Sequence, residues 1–169
     1  MDRPQAQRPV TPVRGALARL TPGRIAFALI AIAVFVVDHI TKGIVAAQIP
    51  YGTEIPVLGH LLGITNVRNS GAAFGIAPAF AFVFLGASVI VAVGLVVYVA
   101  RTRSSFWNDA VLGLILGGTL GNGYDRLMAG TVTDFVNVHF WPVFNVADSA
   151  ISVGVVLLIA AQLIRKPSA

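Results

Sequence analysis

Four long apolar runs, separated by polar and turn-rich stretches, organise these 169 residues. They extend approximately from Pro22 to Ala47, Phe80 to Ala100, Asp109 to Met128 and Asn145 to Ile164, each near the ~20 residues that a helix needs to cross a bilayer. The pattern predicts an all-α integral membrane bundle of four transmembrane helices. Two intervening stretches carry a different period. Within Gln48 to Ala79 the series Leu62-Gly63-Ile64-Thr65-Asn66-Val67 alternates like a strand, and Thr131 to Phe144 holds Val132, Phe135, Val136, Val138, Phe140 and Trp141 in a similar pattern. Such alternation predicts a small sheet or hairpin built from the loops at about 48–79 and 129–144 and lying on the membrane surface. Trp107 and Trp141 fall near helix ends, where aromatic anchors belong.

The first apolar run follows a basic region, as a cleavable signal peptide would. Three further apolar segments and the continuation Ile44-Val45-Ala46-Ala47 favour a retained helix. Residues 1–21 read as a basic, Pro-rich, disordered tail in contact with anionic lipid, and 22–169 as one membrane domain. Composition agrees. Only 11% of residues are charged and 56% are hydrophobic, against roughly 25% charged in soluble domains.

The net charge of +5 raises nucleic acid as a partner, but its distribution points elsewhere. Nine of the twelve basic residues lie in the N-terminal tail (Arg3, Arg8, Arg14, Arg19, Arg24), the short turn with Arg101 and Arg103, and the C-terminal Arg165 and Lys166. The positive-inside rule places both termini in the cytoplasm and both structured loops outside. No nucleic-acid role is expected. The absence of cysteine excludes disulfides and thiolate chemistry, and the chain cannot itself be a lipidated lipoprotein.

In that topology the polar residues fall at one depth. Asp38 and Lys42 lie one turn apart late in the first helix. Asn122, Asp125 and Arg126 share a face late in the third, and Asn145, Asp148, Ser149 and Ser152 lie early in the fourth. Every cluster is expected near the outer face and none near the inner one. The second helix carries only Ser88 and Tyr98 and is expected to pack. Gly113, Gly117 and Gly121 form a small-residue ladder that permits close helix contact.

Ionisable residues at membrane depth mark function by default. Asp38 with Lys42, and Asp125 with Arg126, read as a paired framework. Asp134, in the loop above the fourth helix, and Asp148 have no basic neighbour in sequence. Held close, they would share one proton, one carboxylate acting on a water while the other polarises a carbonyl. The plainer alternative is that Asp134 ends a strand and Asp148 caps a helix. Both readings stand at this point.

Other chemistries fit less well. His39, His60 and His139 lack metal-ligand spacing. A Ser149 or Ser152 nucleophile activated by Lys42 is opposed by Asp38, which would keep that lysine protonated. The run Gly121-Asn122-Gly123-Tyr124-Asp125 has one residue too many for the G-x-G-D pattern of intramembrane aspartyl proteases. A small proton or solute transporter could use the same polar cluster, although no inverted repeat is evident.

Five blocks, in order, resemble bacterial lipoprotein signal peptidase (signal peptidase II). They are Asp38-His39-Ile40-Thr41-Lys42, Asn69-Ser70-Gly71-Ala72-Ala73-Phe74, the run from Gly117 to Arg126, Val132-Thr133-Asp134-Phe135, and the run from Phe144 to Ala150. The resemblance implies a four-helix aspartyl endopeptidase with an extracytoplasmic β cradle and no metal or cofactor. It would cleave diacylglyceryl-modified prolipoproteins before the lipidated cysteine. Asp134 and Asp148 match the catalytic pair. Asn69, Gly71, Asn122, Arg126 and Asn145 match residues that shape the site or bind substrate and the cyclic peptide inhibitor globomycin. Asp38, Lys42 and Asp125 match the supporting framework. A monomer in the bacterial inner membrane is expected. The short segment from Gly75 to Ala79 departs from the family and implies an outer lid that is abbreviated or differently shaped.

Overall fold

Thr21 opens the first helix. Its backbone is extended (φ −88°, ψ 156°) and its Oγ1 accepts the Arg24 N–H at 3.3 Å, while Pro22 takes a first-turn position that needs no N–H donor. In this computed structural model the described residues are 20–71 and 79–164. Residues 1–19 of the basic tail, most of the lid segment and the basic pair Arg165 and Lys166 lie outside them. Helix α1 (Pro22–Gln48) leads into a hairpin of β1 (Glu54–Leu58) and β2 (Leu62–Asn69). Helices α2 (Ala79–Arg101) and α3 (Phe106–Ala129), strand β3 (Val132–Asn137) and helix α4 (Val146–Ile164) follow.

Helices α1, α2 and α4 are each long and apolar enough to cross a membrane. Their outer faces expose large hydrophobic side chains, among them Leu29, Ile32, Ile90 and Val156, as lipid-facing surfaces do. Helix α3 differs because the three other helices pack against it. Its lower apolarity reflects polar residues such as Asn122 and Asp109 that are buried against those neighbours. The glycine ladder is the reason it fits. A Cβ at Gly113 or Gly117 would sit 2.7 or 2.6 Å from the carbonyl oxygens of Phe27 and Ala31 in α1. On the other side, a Cβ at Gly118 would collide with the Ala147 carbonyl of α4. Close backbone approach replaces the hydrophobic drive that lipid cannot supply.

The sheet is antiparallel in the order β1-β2-β3. It seats Phe135 and Ile64 against Val45 and Ile49 at the end of α1. Strand β3 pairs Asp134 opposite Val67, so Asp134 lies within a strand and not in a loop. Strand β1 carried no clear alternation, and all five of its residues are exposed.

Two further differences concern the opposite end of the bundle. Helix α3 begins at Phe106, three residues earlier than the apolar run suggested, which puts Asp109 in its first turn. A polar clasp also exists there, against the expectation of none. Thr21 Oγ1 donates to Ser104 Oγ at 2.6 Å, and Ser104 Oγ donates to Asp109 Oδ2 at 2.6 Å. Asp109 is only 2% exposed. The clasp joins the start of α1 to the α2–α3 turn, 83 positions away, so no local spacing announces it.

Candidate active site

Strand β3 is buried on both faces at Val132-Thr133-Asp134-Phe135. Phe135 enters the small core beneath the sheet, and alternation turns Asp134 the other way, toward the polar ends of the helices. Asp134 is 3% exposed. Its Oδ1 accepts Asn145 Nδ2 at 2.6 Å and its Oδ2 accepts Asn69 Nδ2 at 2.8 Å. Asn69 ends β2, and its own Oδ1 accepts the Gly71 N–H at 2.8 Å, so its NH2 must face the carboxylate. Gly71 makes this turn at φ +87°, with the Phe84 ring where a Cβ would go.

β3 lies outside the spanning helices, yet Asp134 has lost most of its water. Burial pushes its carboxyl from 3.8 up to about 6. The Asn69 hydrogen bond opposes this rise, the nearby Asp148 charge adds to it, and the Asn145 hydrogen bond and Lys42 charge work against it.

Asp148 is the third residue of α4 and completes a reciprocal cap. Asn145 Oδ1 accepts the Asp148 N–H at 2.9 Å, and Asp148 Oδ2 accepts the Asn145 N–H at 3.3 Å. This is the logic of a capping box. Asp148 Oδ1 accepts Asn122 Nδ2 at 2.7 Å. Asn145, with no exposed surface, therefore contacts one carboxylate through its side chain and the other through its backbone. Asp148 thus serves in the cap of α4, and the same Asn145 holds Asp134.

Lys42 holds the framework. Its Nζ lies 2.6 Å from Asp38 Oδ2, 2.9 Å from Asp125 Oδ2 and 2.9 Å from Asn122 Oδ1. The expected pairing of Asp125 with Arg126 is thus corrected: its basic partner is Lys42, from another helix. Neighbouring helical residues diverge by about 100°, so adjacency in sequence misled. Asp38 Oδ1 accepts the Ala147 N–H at 2.9 Å and ties α1 to the start of α4. Arg126 lies over the Phe84 ring at 5.2 Å, donates to the Asn122 carbonyl at 3.3 Å, and has a buried Nε with no hydrogen-bond partner among the described residues.

All ten residues singled out in the sequence converge at this end of the bundle. Two contributors were not singled out. Phe84 supports both Arg126 and Gly71. Thr133 offers its carbonyl to Asn145 Nδ2 at 3.4 Å and its N–H to Asp125 Oδ2 at 3.4 Å. Thr133 sat inside a matching block, whereas nothing in a uniformly apolar helix distinguished Phe84. His39 stacks on Phe35 and meets Tyr124 edge-on, outside the network. Ser149 Oγ donates to the Asn145 carbonyl at 3.0 Å, and Lys42 is occupied elsewhere, so the serine–lysine arrangement does not form.

Carboxylates in this setting can exchange protons with a water and a carbonyl. Residues 30–164 match the family model described as Signal peptidase (SPase) II. The chain is similar to a lipoprotein signal peptidase of Rhodococcus jostii, 42% identical over 147 residues, covering 83% of this chain and 74% of that one. It is also similar to one of Halothermothrix orenii, 37% identical over 131 residues, covering 78% and 90%. A solved structure described as a bacterial membrane enzyme, obtained by the in meso method at 1.9 Å, superposes with a TM-score of 0.77 at 34% identity. It covers 83% of this chain and 94% of that one.

Proposed function

Because the chain belongs to the Signal peptidase (SPase) II family, and is a bacterial multi-pass membrane aspartic peptidase that processes prolipoproteins, we propose that Asp134 and Asp148 are its catalytic pair. Family membership replaces the transporter reading. The observation that carries the proposal is the double reach of Asn145, whose Nδ2 meets Asp134 at 2.6 Å and whose N–H meets Asp148 at 3.3 Å. One rigid residue thereby brings both carboxylates to a common place. Asp38 and Asp125 are engaged by Lys42, which leaves Asp134 and Asp148, of the four acids in the cluster, as the two held by N–H groups without an ion pair among the described residues.

The substrate is a diacylglyceryl-modified prolipoprotein, cut before its lipidated cysteine. One carboxylate takes a proton from water as the water oxygen bonds to the scissile carbonyl carbon. The other, protonated, donates to the carbonyl oxygen. The resulting gem-diol collapses as the C–N bond breaks and a proton passes to the leaving nitrogen. Arg126, whose Nε has no hydrogen-bond partner among the described residues, and the Asn69–Gly71 turn line the approach and bind the peptide. Asn122 and Asn145 hold the acids, and Asp38, Lys42 and Asp125 brace them.

Both termini face the cytoplasm and the site opens at the outer leaflet. Supporting this, Arg24 donates to the carbonyls of Ala100 and Thr102, so the basic turn and the start of α1 gather at the end away from the site. Exposed Tyr51, Phe140 and Trp141 belong to the site end, where an interfacial belt would lie. Globomycin is expected to compete for the site, membrane lipid is the surrounding partner, and the working unit is a monomer.

The purified chain in detergent should cleave a synthetic lipidated prolipopeptide, with globomycin inhibiting. Asp134→Asn and Asp148→Asn should each abolish turnover while the protein stays folded. Turnover surviving in either variant rejects the pair.

A further inference from the structure

The two carboxylates are held by donors of different character. Asp134 is bound by neutral amides, and the amide of Asn69 is itself oriented by a neutral backbone donor, the Gly71 N–H at 2.8 Å. Asp148 is bound by Asn122 Nδ2 at 2.7 Å, and the amide of Asn122 is oriented by an ammonium, Lys42 Nζ, at 2.9 Å from Oδ1. A lysine ammonium only donates, so only the oxygen of Asn122 can face it, and the planar amide then turns its NH2 toward Asp148. A cation on the oxygen also polarises the amide and strengthens its N–H as a donor. Asn145 Nδ2 reaches Asn122 Oδ1 as well, at 3.1 Å, and adds to the same orientation.

Position reinforces this asymmetry. Asp148 sits in the first turn of α4, where the helix dipole and the Asn145 N–H favour a negative charge. Asp134 sits in a strand at 3% exposure with no helix end behind it. The charged groups facing the pair are Lys42 from α1 and Arg126 from α3. Asp38 and Asp125 offset the charge of Lys42 from α1 and α3.

We propose that Lys42 is a positioning residue that acts through Asn122, fixing its amide so that Asp148 is the ionised carboxylate and the pair's shared proton resides on Asp134. The inference rests on the reading of these two acids as the catalytic pair, and it assigns their roles. Asp148 accepts the proton of the attacking water while Asp134 donates its own to the carbonyl oxygen. On collapse, Asp148 delivers its proton to the leaving nitrogen as the C–N bond breaks. Asp134 recovers a proton from a gem-diol hydroxyl, which restores the starting state.

The test uses the full chain in detergent with a lipidated prolipopeptide, comparing Asn122→Leu, Lys42→Met and Lys42→Arg. Asn122→Leu leaves both ion pairs of Lys42 in place and deletes only the amide. It should lower kcat on the order of 10- to 100-fold with little change in KM. The acid limb of the pH profile, which reports the coupled pair, should move up by about one pH unit. Lys42→Met should move the limb in the same direction, because it frees the Asn122 amide and also removes the Lys42 charge that faces Asp134. Lys42→Arg, still a pure donor, should restore the wild-type limb. At a pH where the pair holds a single proton, the pair's infrared carboxyl C=O band should vanish in Asp134→Asn and persist in Asp148→Asn.

An unmoved limb in Asn122→Leu overturns the proposal, as does loss of the band in Asp148→Asn alone. If Lys42→Met fails to fold, Asn122→Leu and the infrared comparison still decide. Failure of the underlying pair looks different, because turnover would then survive the Asp→Asn changes themselves.

Discussion

Replacing Asp134 with Asn removes a carboxyl group that burial raises from 3.8 to about 6. The displacement, about two pH units, corresponds to about 3 kcal/mol. Between these values the folded protein keeps a proton that the unfolded chain has released. The native state is therefore favoured below the window and loses that advantage as pH rises through it. The Asn variant has nothing to titrate. It carries a separate penalty, because Asn69 and Asn145 both donate to Asp134 and an Asn side chain offers only one acceptor oxygen. That mismatch costs about 1–3 kcal/mol and does not vary with pH.

The sign of the stability difference at any one pH is thus a balance, but its slope is not. Reversible unfolding in detergent should show the variant gaining about 3 kcal/mol on wild type from about pH 4 to pH 8. For a chain of this length that is roughly 6–12 °C in relative Tm. The gain should shrink in an Asp148→Asn background, since the Asp148 charge contributes to the rise. A difference that stays flat across this range would refute the burial argument.

Two further outcomes follow from packing and capping. Asn145→Ser keeps an N-cap oxygen and loses the donor to Asp134, so it should retain most stability and lose most turnover, while Asn145→Ala should unfold more readily still, by about 1 kcal/mol. Thermal scans paired with cleavage assays check both. Gly117→Ala should destabilise by about 1–3 kcal/mol because its Cβ would meet the Ala31 carbonyl at 2.6 Å. Gly94→Ala in α2, with open space around it, should be neutral or stabilising by up to about 1 kcal/mol.

The four helices were legible because their signal is local: an apolar run of the right length becomes a spanning helix wherever it packs. Helix α3 was the least apolar of the four, and its glycines already marked it as the one others would approach. The polar faces were legible for the same reason, since residues three and four apart on a helix must share a side. Strand β1 was not legible. Its five residues are all exposed, so no buried face imposes an alternation, and only pairing with β2 makes it a strand.

Sequence by itself determined the four helices, the alternation of β2 and β3 and the helical members of the polar cluster, because period and spacing are set by helix and strand geometry, while Asn69 and Gly71 were named only through the family resemblance. The tertiary structure decided who holds whom. Lys42 reaches Asn122 across 80 positions and takes Asp125 from its sequence neighbour Arg126. Asn69 reaches Asp134 across 65 positions, and the Thr21–Ser104–Asp109 clasp closes an end that looked empty of polar contacts. Hydrogen bonds and ion pairs act over about 3 Å, a distance that chain separation does not constrain once helices are laid side by side. What the sequence named was a set of donors and acceptors; folding chose their partners and the direction of each amide.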